Sequence, residues 1–129
     1  MKGVESTALS NVVLLPTGKL KLWQETAAKQ LMLESLETGV SVSTLADACA
    51  LSRSHFSRKF KASTRLSPTQ WLRQQRILKS KQLLESSIMT LTQIAMACGF
   101  CDQAHFCRVF SKTEGMTPLA WKRVARAAA

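Results

Sequence analysis

Two stretches of this 129-residue chain carry one pattern twice. LADACALSRSHFSRKFKASTRLSPTQWLRQQR, from Leu45, is echoed by IAMACGFCDQAHFCRVFSKTEGMTPLAWKR, from Ile94. Leu45, Ala46, Ala48 and Cys49 match Ile94, Ala95, Ala97 and Cys98 at an offset of 49. The offset then becomes 50, pairing His55, Phe56, Arg58, Phe60, Ser67, Pro68, Trp71 and Arg73 with His105, Phe106, Arg108, Phe110, Thr117, Pro118, Trp121 and Arg123. One extra residue has entered the turn of the second copy. Self-similarity at this period marks one supersecondary unit used twice, so the two copies are expected to fold alike.

Each copy reads as a short helix, a tight turn, a second helix, a loop and a third helix. The third helices open on Ser67-Pro68 and Thr117-Pro118, a hydroxyl N-cap followed by proline at the first helical position, and Gln70 completes a capping box with Ser67. The first helices of the copies are expected to start near Ser43 and Thr92, and the second ones near Ser52 and Asp102. Upstream, Leu20, Trp23, Ala27, Leu31, Leu33 and Leu36 suggest the apolar stripe of a further helix from Leu20 to about Thr38, with Gly39 as its stop. A long helix from Pro68 to about Ser86 connects the copies. No stretch alternates as a strand does. The expected fold class is all-α: a flexible lead-in at 1–19, a helix-turn-helix subdomain at 20–67, a connector helix at 68–86 and a second helix-turn-helix subdomain at 87–129.

Eighteen Lys and Arg against eight Asp and Glu give a formal charge of +10, a field that favours polyanionic partners. No apolar run approaches the ~18 residues of a membrane span, and Val12-Val13-Leu14-Leu15 is too short for a signal-peptide core. A cytoplasmic protein is expected, with no membrane partner. Cys98 and Cys101 form a C-x-x-C near His105 and Cys107, which raises zinc. Cys49 and Cys98, however, occupy matching apolar positions, where a free cysteine acts as a small buried hydrophobe. Neither a metal nor a cofactor is expected. Paired carboxylates, a phosphate-cradling glycine loop and a nucleophile motif are all missing, which argues against an enzyme.

A helix-turn-helix needs a small residue where its helices cross, and Ala46 and Ala95 fit that place. At 100° per residue, Phe56 and Phe60 fall on one side of the first copy's second helix, with Arg53, Ser54, Ser57, Arg58 and Lys61 on the other. In the second copy Phe106 and Phe110 face inward and Gln103, Ala104, Cys107, Arg108 and Ser111 outward. Arg can pair bidentately with guanine and Gln with adenine, while small side chains let a helix approach closely. Neither arc contains an acidic residue. His55 and His105, near the edge of the buried face, suggest packing or phosphate contact, and Trp71 and Trp121 suggest core anchors. Phosphate contact is assigned to Lys61, Arg73, Arg76, Ser111 and Arg123. A connector of ~19 residues spans about 28 Å, near the ~34 Å between successive major grooves.

The run GFCDQAHFCRVFSKTEGMTPLAWKR from Gly99, with FSRKFKASTRLSPTQWLRQQR in the first copy, resembles the DNA-binding domain of the AraC/XylS family of bacterial transcription regulators. The resemblance covers about Leu20 to Arg126. It implies seven helices, an asymmetric double-stranded DNA site in two adjacent major grooves, binding as a monomer, and activation beside RNA polymerase. By position it implies base reading by Arg53, Ser54, Ser57 and Arg58, and by Gln103, Ala104, His105, Cys107 and Arg108. A short chain of this kind looks like the single-domain multidrug and superoxide-stress activators. Two positions depart from the pattern. Arg65 stands where the second copy has Gly115, which would cost on the order of 1 kcal/mol if the left-handed conformation is kept, and Ala50 stands where it has Gly99. The alternatives to a sequence-specific regulator are a sequence-tolerant architectural binder of nucleic acid and a protein-interaction module.

Overall fold

A computed structural model describes residues 18–128, so most of the expected lead-in at 1–19 lies outside the described residues. Within them the chain is all-helical: α1 (Leu22–Glu34), α2 (Val42–Ala48), α3 (Arg53–Thr64), α4 (Pro68–Ser86), α5 (Leu91–Ala97), α6 (Gln103–Glu114) and α7 (Pro118–Ala128). Two compact units divide it. The first holds α1, α2, α3 and the start of α4 as far as Trp71; the second holds Ser35–Gly39 together with everything from Leu72 onward.

Side-chain caps fix where the helices begin. Ser52 and Asp102 accept the backbone N–H of His55 and His105 at 3.2 and 2.7 Å, which satisfies a donor the first helical turn cannot. Ser67 and Gln70 form the expected reciprocal box, at 3.0 and 3.2 Å. The expectation for α2 and α5 is corrected by two residues: their caps are Ser41 and Thr90, not Ser43 and Thr92. Thr90 prevails because Gln93 reaches back to its backbone N–H while the Gln93 N–H reaches its hydroxyl, closing a full capping box.

The first helix is also corrected. It ends at Glu34, and its buried positions are Gln24, Ala28 and Met32, whereas Trp23 is 54% and Leu33 45% exposed. A polar residue occupies the buried stripe because both ends of its amide are satisfied. Gln24 Oε1 accepts the Lys21 N–H at 2.9 Å and Gln24 Nε2 donates to the Cys49 carbonyl at 3.0 Å, so its burial carries no unpaired-group penalty.

In the first unit Phe56, Phe60, Leu45, Ala46, Cys49 and Met32 are buried. The second repeats this with Phe106, Phe110, Ile94, Ala95, Cys98 and Leu84, joined by Ile77 and Phe100. The tryptophans meet the second phenylalanine of each pair edge-on, Phe60 with Trp71 and Phe110 with Trp121, each at 6.1 Å. The repeat reaches further than the sequence pattern suggests, since α4 serves the second unit as α1 serves the first. At an offset of 52, Ala28 and Ser80 are both wholly buried, Met32 and Leu84 are buried beside them, and Lys29 and Lys81 sit over Trp71 and Trp121 at 5.7 and 5.8 Å. Ser80 disposes of its hydroxyl by donating to the Ile77 carbonyl at 2.6 Å.

Candidate nucleic-acid interface

The sequence RSHFSRKFKAST gives α3 two phenylalanines four residues apart and polar groups elsewhere, so one edge sinks into the first unit and the other faces outward. Arg53, Ser54, Arg58 and Lys61 are exposed there and Ser57 is half-buried. Arg53, Ser54 and Ser57 share a groove with Ser52 and Val42. Arg58 lines a neighbouring groove with His55 and Lys59. The His55 ring is tied to the cap of its own helix, Nδ1 lying 2.8 Å from Ser52 Oγ.

QAHFCRVFSKTE builds the same helix in the second unit. Gln103, Ala104 and Arg108 are exposed, while His105, Cys107 and Ser111 are half-buried. Cys107 packs against the edge of the unit's core, and the His105 ring stands edge-on to Phe100 at 5.5 Å. His105 Nδ1 accepts the Cys101 backbone N–H at 3.3 Å, so this histidine braces the turn before α6. The zinc reading gains nothing from the geometry: Cys98 is buried and Cys101 exposed. Among the described residues no three His, Cys, Asp or Glu side chains come together.

Arg73 and Arg108 line one groove of about 480 Å³ with Lys112, Thr113 and Val109. Three cations around one cavity, with no carboxylate among them, suit an anion with several oxygens. Lys112 was not anticipated, although its place one helical turn after Arg108 could have revealed it. Glu114 ends α6 but is neutralised by Lys81 at 2.6 Å. Lys61 and Arg123 are exposed on α3 and α7.

Arg76 stands apart from the other phosphate candidates. Its Nε donates to the Leu36 carbonyl at 2.9 Å, and its guanidinium lies beside Gly39 and Gly99. Burial pulls its pKa below the usual arginine value. The arginine serves as an internal brace that holds Ser35–Gly39 in the second unit.

The two glycine departures separate here. Arg65 takes φ 70° where Gly115 takes 79°, so the left-handed C-cap is kept in both copies. Ala50 likewise takes φ 56° against 87° at Gly99. Gly99 has a second reason to be glycine: an added Cβ would lie 2.1 Å from the Leu36 carbonyl oxygen.

A helix-turn-helix domain family model matches residues 45–124. The chain is similar to the HTH-type transcriptional activator RhaR of Salmonella dublin, 32% identical over 94 residues that cover 73% of this chain and 33% of that protein. It is also similar to the MmsAB operon regulatory protein of Pseudomonas aeruginosa, 35% identical over 95 residues, 74% of this chain and 31% of the relative. It therefore spans about a third of the length of these relatives. Among solved structures, the DNA-binding domain of the global transcriptional factor AdpA in complex with a target DNA superposes with a TM-score of 0.74 at 32% identity, covering 81% of this chain and 95% of that one. An AraC-type DNA-binding domain-containing regulator from Chromobacterium violaceum gives 0.73 at 27% identity, covering 78% and 89%.

Proposed function

The chain belongs to the AraC-type helix-turn-helix family, and from that premise we propose that it is a sequence-specific, double-stranded DNA-binding transcription regulator. The observation that carries this reading is the matched pair of outward faces on α3 and α6. Each presents an exposed arginine, Arg58 or Arg108, two residues after a fully buried phenylalanine, with no carboxylate in either arc. Two such helices, one per unit, suit two adjacent major grooves read by one monomer. Base reading is assigned to Arg53, Ser54, Ser57 and Arg58 on α3, and to Gln103, Arg108 and the small Ala104 and Cys107 surface on α6. Phosphate contact is assigned to Lys61, Arg73, Ser111 and Arg123, with Lys112 added. The similarity to RhaR, a transcriptional activator, supports activation as the mode of regulation; in this reading the protein partner is RNA polymerase and the location the bacterial cytoplasm.

Competition at fixed salt tests the function. A duplex recovered by selection from random sequence is expected to outcompete bulk DNA by ~10³ or more. Equal competition, combined with a steep dependence on salt, would instead mean a sequence-tolerant architectural binder.

A further inference from the structure

Taking α6 as a DNA-reading helix, we propose that Thr92 is a positioning residue that decides which base edge Gln103 reads. Thr92 is exposed on α5, and its hydroxyl donates to Gln103 Oε1 at 2.8 Å. Gln103 is the first residue of α6 and is itself exposed. A glutamine reads adenine with both ends of its amide, donating to N7 and accepting from the N6 amino group. The Thr92 hydroxyl takes one of the two acceptor sites on the amide oxygen and fixes the plane of the amide, holding that oxygen toward α5. The end of Gln103 left free of Thr92 is its pair of N–H donors, which suits guanine N7 and O6 or thymine O4.

The neighbouring residues point the same way. Arg108 only donates, Ala104 has no polar side-chain atom, and the thiol of Cys107 is a weak acceptor. His105 Nδ1 is occupied by the Cys101 N–H. Apart from the Asp102 carboxylate, which caps the helix by accepting the His105 N–H, the carbonyl oxygen of Gln103 is the strong acceptor among the reading residues at the start of α6, and Thr92 engages it. In the first copy the equivalent of Gln103 is Arg53, offset by 50, which is a donor by its own chemistry. Thr92 biases a neutral amide toward the donor role that the arginine fills in the first copy.

The test is selection from random duplexes by the full chain and by Thr92→Val, Thr92→Ser and Gln103→Ala. At the base position whose preference Gln103→Ala abolishes, the unaltered chain is expected to prefer guanine or thymine. Thr92→Val is expected to shift that one position toward adenine by about tenfold, and Thr92→Ser to keep the original preference. The assignment is overturned if Thr92→Val leaves that position unchanged or moves all positions together. It is also overturned if the unaltered chain already selects adenine there, or if Gln103→Ala changes no position. An unaltered chain that selects no sequence at all overturns the DNA-reading function itself. A selective chain with an unmoved Thr92→Val profile overturns Thr92 alone.

Discussion

The α-carbon of Gly99 lies so close to the Leu36 carbonyl that a Cβ there would sit 2.1 Å from its oxygen and 2.8 Å from Arg76 Nε. The turn between α5 and α6 is therefore shaped around a backbone carbonyl that an arginine already holds. Gly99→Ala is expected to destabilise the protein by on the order of 3 kcal/mol, because backbone must move and the left-handed φ is strained as well. Chemical denaturation measures it; a loss below about 0.5 kcal/mol would mean that this approach is not a constraint.

The first copy carries the opposite experiment. Arg65 keeps the left-handed C-cap with φ 70°, a conformation that costs a non-glycine residue about 1 kcal/mol. Arg65→Gly is expected to raise stability by about that amount. An unchanged or lowered denaturation midpoint would show that the Arg65 side chain offsets the strain.

Alkaline pH acts on the second core. The buried Cys98 thiol is pushed up to about 11 from its ordinary 9.0, chiefly by burial. The unfolded chain thus loses this proton first. The contribution is whole below about pH 9 and declines as pH rises toward about 11. Over that interval the melting temperature is expected to fall further for the unaltered chain than for Cys98→Ala. Parallel curves would exclude the cysteine as a cause.

Much of the fold is legible in the sequence because the repeat lets each copy check the other. Phe56, Phe60, Phe106 and Phe110 are inward as their spacing demands, and Pro68 opens α4 after its Ser67 cap. The buried face of α1 was hidden because Gln24 is polar by type and apolar only in effect, its amide being satisfied by groups that fold beside it. The correspondence of α1 with α4 was hidden for a related reason. It pairs Ala28 with Ser80 and Met32 with Leu84, matches of volume rather than identity. The outward residues of α3 and α6 follow from periodicity, but the bracing role of Arg76 depends on Leu36, forty residues away, and no local pattern announces it.

Phosphate contacts are expected to differ from base contacts in their salt response. Lys61→Ala and Arg123→Ala should weaken all duplexes evenly and reduce the slope of log K against log salt by about 0.9 each. A change in base preference in either variant would move that residue into the reading face.

Reading of DNA by two helices is tested most directly by base-preference profiles of Arg58→Ala and Arg108→Ala measured at one salt concentration. Each variant is expected to lose discrimination by roughly 1–3 kcal/mol at its own few base pairs. The two sets should not overlap, and preferences elsewhere in the site should be intact. Uniform weakening across all sequences in both variants, or loss confined to one shared set of base pairs, would contradict reading by two helices.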